Sequence, residues 1–443
     1  MGTPLAAPNS SFGDRHQGGA RPEVRFYFDI VCPYAYLASK QLPELTERLG
    51  ARIDWRPILL SGVLKSLGSL GTATSEAKQA LTRRDLARFC DHLGVELRFP
   101  AEHPRRTVEA MRLLTWASPM TVPALAQALF QAYWVSGLDI ADPEVLLSIA
   151  QSIGLSSAEA GLQSPAISQK LRHKTGEAVS AGVFGVPTFI VDGESGSRLF
   201  FGQDRLHFVE AALRSHPLQN HVHGQPGPTV GISERHVANQ ARKATFVFDL
   251  SSPYAYLAST QMDQLSRACG VQIEFFPIFL GGLFRSLGTP LVPVMTFSEN
   301  KRRHLVEDLS RWAHHYSVPF HFPSRFPVNT LTALRLLTLA GDRTGPLAHE
   351  LFSRYWVGDQ DLADPQVLEQ GLAAVGLSPN LLDQVGDPEV KATLMANTKQ
   401  AEEWGCFGVP SFLVPQPHGP PELFFGQDRL LFVEQALRKN AAP

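Results

Sequence analysis

The chain has 443 residues, and its 40 Lys and Arg nearly balance 42 Asp and Glu, so the net charge is −2. This charge gives no reason to expect a nucleic acid or an anionic membrane as a partner. The four cysteines are too few for a disulfide framework, and no run of about 18 apolar residues suggests a membrane helix, so we predict a cytoplasmic protein without a membrane partner.

The N-terminal segment, residues 1–23, is rich in Gly, Ala and Pro. It contains no apolar core of the length that a secretory signal requires. We therefore predict a disordered leader, which agrees with a cytoplasmic location.

The first folded elements form a strand–helix–strand unit. Residues 25–31 are apolar and aromatic with interleaved polar positions, which predicts a strand. Residues 34–49 carry leucines and alanines at helical spacing and stop at Gly50, a suitable C-cap, and residues 52–59 predict a second strand. Such a unit favours two parallel strands joined by a right-handed crossover.

A long helical region follows over residues 60–180, with breaks near Pro100, Pro104 and the Asp142-Pro143 step. After it, the pattern predicts a hairpin of two short strands and a last helix, over residues 188–192, 198–201 and about 204–214.

Residues 215–243 contain prolines, glycines and histidines without periodicity, which predicts a linker. His216, His221 and His223 are potential metal ligands. They lack the spacing and the supporting residues of a metal site, so a solvated polar linker is favoured and no metal site is predicted.

The same order of elements then returns in the second half of the chain. The pattern predicts a strand over 244–251, a helix over 254–268, a strand over 271–278, helices to about residue 404, two strands, and a helix over 428–438.

The two halves also repeat each other in sequence. The offset drifts only from 220 residues, Phe26 to Phe246, to 224 residues, Phe200 to Phe424. Solenoid repeats are about 20–50 residues long, so a period of this length indicates two duplicated domains. We place them at residues 24–214 and 244–438.

Each copy therefore has a strand–helix–strand start, a helical insertion, a Val-Pro step, a hairpin and a final helix. This is the layout of a thioredoxin fold with an inserted helical subdomain. We predict an α/β protein of two thioredoxin-like domains, each carrying such an insertion. Pro187 and Pro410 would directly precede the third strand of their copies.

The junction of the first strand and helix is the first candidate site. Ser252 stands just before Pro253, which suits the first position of a helix. Ser252 is either a simple N-cap or a hydroxyl that helps the helix N-terminus to stabilise an anion such as a thiolate. Both roles are compatible.

Cys32 occupies the same position in the first copy. A helix N-terminus favours a thiolate, which would make this cysteine reactive. A dithiol motif needs a second cysteine three residues later, and Ala35 stands there, so dithiol exchange is excluded. A one-cysteine mixed disulfide stays open, as does an inherited position that changed from Ser to Cys.

The second copy closely resembles 2-hydroxychromene-2-carboxylate isomerases and kappa-class glutathione transferases, in the DsbA-like branch of thioredoxin folds. The motifs that carry the resemblance are Phe-Asp-Leu-Ser-Ser-Pro-Tyr, Pro-Val-Asn-Thr, Gly-Cys-Phe-Gly-Val-Pro and Phe-Phe-Gly-Gln-Asp-Arg, starting at Phe248, Pro327, Gly405 and Phe424. The resemblance covers essentially both repeats. It implies glutathione as the cofactor and a cis peptide bond before Pro187 and Pro410.

The resemblance also implies a role for individual residues. Ser252 would bind the glutathione sulfur, Val409 and Pro410 the cysteinyl part, and Asp428 the γ-glutamyl end. Asn329 would line the substrate side, and Lys301 would approach the ligand. The counterparts in the first copy are Cys32, Lys78, Val186, Pro187 and Asp204.

The first copy departs from the family pattern where the chemistry is expected. Cys32 replaces the serine, and Arg106 replaces the asparagine of Pro-Val-Asn-Thr. Arg106 is either an exposed loop arginine or a group that attracts an acidic substrate. We therefore expect a degenerate site in the first copy and an intact site in the second.

The leading hypothesis is a glutathione-dependent isomerase acting on a small electrophile, for which an aromatic 2-oxo acid is one candidate. A kappa-type glutathione transferase would use the same thiolate and release a conjugate. A thiol–disulfide oxidoreductase would act through Cys32. In a non-catalytic alternative, the first copy is a scaffold, and the two copies form an intrachain pseudo-dimer.

Overall fold

The computed structural model of the protein describes residues 22–68, 76–193, 196–214 and 242–440. Most of the predicted leader and linker, with the three linker histidines, lies outside these ranges. The first strand of each copy begins at Glu23 and at Lys243. Within the described residues, no helix is both long enough and apolar enough to cross a membrane.

Each repeat contains a four-stranded sheet of the same topology. In repeat 1 the strand order is β2-β1-β3-β4, with β1 parallel to β2 and antiparallel to β3, and β3 antiparallel to β4. The strands are β1 Glu23–Phe28, β2 Arg52–Pro57, β3 Thr188–Gly193 and β4 Gly196–Phe201. The predicted parallel pair and the predicted hairpin are both confirmed.

Repeat 2 has the order β6-β5-β7-β8 with the same directions. Its strands are β5 Lys243–Phe248, β6 Gln272–Pro277, β7 Ser411–Val414 and β8 Glu422–Phe425. The duplicated strand pattern therefore folds into two equivalent sheets.

The helices of repeat 1 surround its sheet and form the inserted subdomain. They are α1 Pro33–Leu49, α2 Leu60–Ser66, α3 Glu76–Leu93, α4 Val108–Trp116, α5 Val122–Trp134, α6 Pro143–Ser152, α7 Ala158–Gln163, α8 Pro165–Ser180 and α9 Leu206–Arg214. Helix α1 ends as predicted at Gly50, whose φ of 61° is the left-handed conformation that glycine adopts readily.

The helices of repeat 2 are α10 Pro253–Ser259, α11 Met262–Cys269, α12 Leu280–Ser286, α13 Glu299–His315, α14 Leu331–Leu339, α15 Thr344–Trp356, α16 Pro365–Ala374, α17 Leu381–Gln384, α18 Pro388–Glu403 and α19 Leu430–Lys439. The prediction of one continuous helix over 254–268 is wrong, because the helix breaks between α10 and α11. The Thr260 hydroxyl donates to the Leu257 carbonyl, and the Gln261 amide donates to a carbonyl only three residues back, at Ala258.

A buried tryptophan fixes the loop before each first helix. Trp134 Nε1 donates to the Ile30 carbonyl at 2.8 Å, and Trp356 Nε1 donates to the Leu250 carbonyl at 2.9 Å. Both indole rings are fully buried. The inserted helices therefore hold the strand–helix junction that contains Cys32 or Ser252.

The two Val-Pro peptide bonds are cis, as the resemblance implied. The bonds before Pro104 and Pro327 are also cis. Each Val-Pro step leads directly into the third strand of its sheet and lies beside the strand–helix junction.

The two repeats contact each other mainly through α3 and α13. On α3, Asp85 pairs with Arg429 at 2.6 Å and Arg88 pairs with Glu422 at 2.7 Å. On α13, Asp308 accepts two hydrogen bonds from Arg205, each at 3.0 Å. Each inserted helix thus lies against the opposite repeat.

Candidate functional site

In repeat 2, Ser252 and the Val409-Pro410 step lie together. Ser252 is the N-cap of α10, and its Oγ accepts a hydrogen bond from the Ala255 amide at 3.2 Å. The same Oγ donates to the Val409 carbonyl at 3.3 Å. The capping role is therefore present, and the hydroxyl also touches the residue that precedes the cis-proline.

Cys32 has the matching position in repeat 1, and its Sγ donates to the Val186 carbonyl at 3.2 Å. Burial raises the pKa of the Cys32 thiol to about 12, and the charge of Asp29 adds to this. The amides of Ala35 and Tyr34 act in the opposite direction but do not compensate. Burial therefore opposes the thiolate that the helix N-terminus would favour at Cys32.

A buried carboxylate that the sequence analysis did not single out lies three residues before each of these positions. Asp249 accepts hydrogen bonds from the Ser251 amide at 2.9 Å, the Leu280 amide at 2.8 Å and the Thr330 hydroxyl at 3.0 Å. Asp29 accepts from the Val31 and Leu60 amides. The repeated Phe-Asp step was the available signal, since an aspartate at the end of a buried strand needs partners.

Asp249 also connects the junction to the insertion, since Thr330 follows Asn329. Asn329 is exposed, and its Oδ1 accepts the Leu331 amide at 3.1 Å at the start of α14. Its counterpart Arg106 is also exposed and pairs with Glu109 at 2.7 Å. Arg106 is thus paired with a residue of α4, the helix that directly follows it.

Asp204 and Asp428 lie in a buried ionic cluster that crosses between the repeats. Asp428 accepts from Arg205 at 2.8 Å, and Asp204 accepts from Arg429 at 2.8 Å. Burial alone would raise the pKa of Asp204, but the two guanidinium groups outweigh it and bring the pKa below its ordinary value. The two predicted γ-glutamyl residues are therefore held by arginines from opposite repeats.

A glycine allows this geometry in each repeat. Gly426 has a φ of 101°, and a Cβ there would lie 2.6 Å from Asp428 Oδ1. Gly202 has a φ of 105° and would place a Cβ 2.5 Å from Asp204 Oδ1. Only glycine allows the carboxylate to fold back over this turn.

The two predicted lysines lie near the interface between the repeats. Lys301 Nζ is 3.8 Å from the centroid of the Phe297 ring, and Lys78 Nζ is 5.6 Å from that of Phe407, in the other repeat. Burial lowers the pKa of Lys301, and the positive charge of Lys78 lowers it further. The structure thus brings Lys78 to the Phe-Gly-Val-Pro loop of repeat 2.

Within the described ranges, no group of three or more His, Cys, Asp and Glu side chains is arranged to hold a metal ion. Several aromatic side chains of the inserted helices and loops divide into two groups. Trp134 and Trp356 are core, whereas Phe320, Phe322 and Phe326 are partly buried and pack against that core.

The sequence matches the family of DSBA-like thioredoxin domains twice, over residues 23–214 and 244–438. The chain belongs to this family. The predicted fold class, two thioredoxin-like domains with helical insertions, is confirmed by this match and by the two equivalent sheets.

The similar proteins of known function are enzymes of about one repeat in length. The 2-hydroxychromene-2-carboxylate isomerase of Sphingobium xenophagum is 32% identical over 195 residues, which are 43% of this chain and 97% of that enzyme. Glutathione S-transferase kappa 1 of Rattus norvegicus is 27% identical over 209 residues, which are 44% of this chain and 92% of that enzyme. A solved structure of a 2-hydroxychromene-2-carboxylate isomerase covers 43% of this chain and 94% of its own, with 26% identity and a TM-score of 0.40.

These relatives confirm the predicted resemblance and support an enzyme of the isomerase and transferase type. Matches of one repeat in length also agree with a tandem arrangement. The roles of the individual site residues stay predictions.

Proposed function

We propose that the chain is a glutathione-dependent isomerase of the 2-hydroxychromene-2-carboxylate isomerase type, with its working site in repeat 2. One observation carries the proposal: the Ser252 hydroxyl, at the N-terminus of α10, bonds the carbonyl of Val409. A serine hydroxyl at this place is a hydrogen-bond donor rather than an activated nucleophile, since its two partners, the Val409 carbonyl and the Ala255 amide, are not bases. A thiolate nucleophile must then come from the ligand.

The residues around Ser252 fit glutathione. Asp204 and Asp428 face the guanidinium groups of Arg205 and Arg429. Their carboxylates would also attract the ammonium of a γ-glutamyl group. Gln427 Nε2 is buried next to Asp428 and has no hydrogen-bond partner among the described residues, so it is a donor for a ligand oxygen.

Ser252 would act by changing its hydrogen-bond acceptor. Glutathione, when bound, supplies the thiolate that adds to the substrate and is later released. The Ser252 proton would turn from the Val409 carbonyl to the sulfur, where the helix N-terminus also favours negative charge. The freed Val409 carbonyl could then accept an amide of the extended tripeptide, as in β-type pairing.

Asn329 would serve the substrate side. Its Oδ1 is used by the Leu331 amide, so the Nδ2 group is the donor that it can offer to a carbonyl that gains negative charge. Asp249 supports this position, because it bonds Thr330 on one side and the junction before Ser252 on the other.

Repeat 1 would contribute little turnover in this proposal. Its Cys32 is a buried neutral thiol, and Arg106 lacks the short amide of Asn329. The same facts disfavour a thiol–disulfide oxidoreductase, which needs an accessible thiolate. We propose instead that repeat 1 completes an intrachain pseudo-dimer. The two repeats would be joined by the ionic cluster and by helices α3 and α13, each of which lies against the opposite repeat.

A kappa-type glutathione transferase remains the second candidate, because relatives of both activities are similar to this chain. The two functions differ in what happens to glutathione. An isomerase returns it unchanged, whereas a transferase releases it as a conjugate.

The test is turnover of 2-hydroxychromene-2-carboxylate with the full-length chain, with and without glutathione. We expect isomerisation that requires glutathione and returns it in full. The double variant Ser252→Ala with Asn329→Ala should lose most of the activity, and Cys32→Ala should keep it. An active double variant together with an inactive Cys32→Ala chain would show that the working site is in repeat 1.

A further inference from the structure

A polar pocket of about 300 Å³ lies in repeat 1 between α4 and the first turns of α8. Its walls include Arg112 of α4, and Ser168 and Arg172 of α8, together with neighbouring Gln, Ser and Pro side chains. None of the residues that line it is an Asp or a Glu. A pocket with two arginines and no acidic side chain suits an anion.

The Arg112 side chain is fixed at this pocket but has unused hydrogen-bonding capacity. Its Nη2 donates to Ser168 Oγ at 2.8 Å, which ties the guanidinium of α4 to α8. Its Nε is buried and has no hydrogen-bond partner among the described residues. A buried donor without an acceptor is costly, so a ligand oxygen at this guanidinium would be favourable.

Nearby carboxylates do not neutralise the two arginines. The only acidic residue of α4, Glu109, pairs with Arg106 at 2.7 Å. The only acidic residue of α8, Glu177, follows Arg172 by five residues, so the two side chains lie on different faces of the helix. Within the described ranges, neither Arg112 nor Arg172 forms an ion pair. The pocket therefore has two positive charges that a ligand can neutralise.

Repeat 2 differs at the equivalent place. Arg335 corresponds to Arg112, and its Nε is likewise buried without a partner among the described residues. Met395 replaces the arginine of α8, and the charge of Lys391 is balanced by Asp387 at the N-cap of α18. Helix α8 contains three Lys and Arg and one Glu, whereas α18 contains two Lys and three Glu. The fold therefore does not require the pair of arginines, which is a property of repeat 1.

We propose that this pocket binds the phosphate group of a small molecule. A phosphate monoester has about two negative charges at neutral pH and three acceptor oxygens, which match two guanidinium groups and the Ser168 hydroxyl. A carboxylate has one charge and leaves one arginine unmatched. The volume of about 300 Å³ is at the lower end of the range for small-molecule sites, so the ligand is small. The inference does not depend on the function proposed for repeat 2.

Titration calorimetry with phenyl phosphate tests this inference, in the full-length chain at neutral pH and constant ionic strength. We expect one phenyl phosphate per chain. Arg172→Gln should weaken its binding by about tenfold or more, because charge-assisted hydrogen bonds are lost. Arg172 is exposed, so the variant should unfold at the same denaturant concentration as the parent. Arg335→Gln is the matched control from repeat 2 and should bind phenyl phosphate as the parent does.

Two further anions test the chemical class of the ligand. Inorganic phosphate should compete with phenyl phosphate for the same site. Benzoate, an aromatic anion with a single charge, should bind at least tenfold more weakly than phenyl phosphate. Three results would each overturn the inference: no measurable binding of phenyl phosphate, equal binding of benzoate, or binding that Arg172→Gln leaves intact.

Discussion

Ser252 and Cys32 show how one atom changes the chemistry of the same position. Both side chains donate to the carbonyl before a cis-proline, at 3.3 Å and 3.2 Å. Only Ser252 also caps its helix, since the Ala255 amide donates to its Oγ. The thiol is the larger and more easily desolvated group, and its raised pKa keeps it protonated at neutral pH.

We expect Ser252→Ala to lower glutathione-dependent turnover by tenfold or more, because a hydrogen bond to a charged sulfur contributes about 1.5–3 kcal/mol. The variant should stay folded but lose about 1 kcal/mol of stability, since it also loses an N-cap. Steady-state kinetics and denaturant unfolding measure the two effects.

Ser164→Ala is the matched control for the loss of a cap. Ser164 caps α8 through the Ile167 amide and lies outside the proposed site. It should lose a similar amount of stability and keep full turnover. Parental turnover in Ser252→Ala would mean that this hydroxyl is only a helix cap.

At the residue scale, the sequence could predict that Ser252 and Cys32 stand at the strand–helix junctions, but not their protonation. Cys32 at a helix N-terminus is a good candidate for a thiolate by position alone. Its burial under the rest of the repeat depends on contacts between distant residues, such as the Val186 carbonyl, and this decides the pKa.

At the scale of elements, the strands, most helices and the Val-Pro steps follow from local pattern. The break between α10 and α11 does not, because it depends on hydrogen bonds of Thr260 and Gln261 that compete with a helical ladder. The sequence also does not predict which repeat α13 contacts, because the pattern of a helix shows that it has an apolar face but not which surface covers that face. In the structure, Trp312 on α13 packs edge-on against Phe208 of repeat 1.

The histidines of α13 and α9 give this contact a pH dependence. Burial lowers the pKa of His207 to about 3 and that of His304 to about 4. His207 faces His315, Arg205, Asp204 and Asp308, and His304 faces Asp308, Arg311 and Arg205. A histidine whose folded pKa is lowered binds more protons when unfolded, so its contribution to stability is present above pH 6.5 and is lost as the pH falls towards 4.

We predict that His304→Leu flattens the pH dependence of the unfolding free energy. Leu is the residue at the equivalent position 81 of α3, so the side chain suits such a helix. Removing one titrating group should lower the slope of the unfolding free energy against pH by up to about 1.4 kcal/mol per pH unit below pH 6.5. Urea unfolding between neutral and mildly acidic pH measures this slope.

His173→Gln is the control, because His173 is 76% exposed on α8. Its replacement should leave the slope nearly unchanged. An unaltered slope in His304→Leu would mean that His304 titrates normally in the folded protein.

At the scale of the whole molecule, the duplication could be read from the sequence, but the way the two repeats meet could not. Arg205 and Arg429 appear in identical Gln-Asp-Arg motifs, and nothing local indicates that each guanidinium reaches the aspartate of the other repeat. Such contacts join residues more than 200 positions apart and depend on how two folded domains dock. The contacts of α3 and α13 with the opposite repeat also depend on this docking.

The two repeats differ in the residues that they place at the strand–helix junction and in the insertion. Repeat 2 has the serine and the short amide, whereas repeat 1 has a buried thiol and an exposed arginine at the equivalent places.

The most direct test of the central claim is a crystal structure of the full-length chain soaked with reduced glutathione. We predict one glutathione per chain, bound in repeat 2 with its sulfur within hydrogen-bond distance of Ser252 Oγ and its γ-glutamyl end beside Asp428. Glutathione bound only in repeat 1, or joined to Cys32 through a disulfide, would contradict the account.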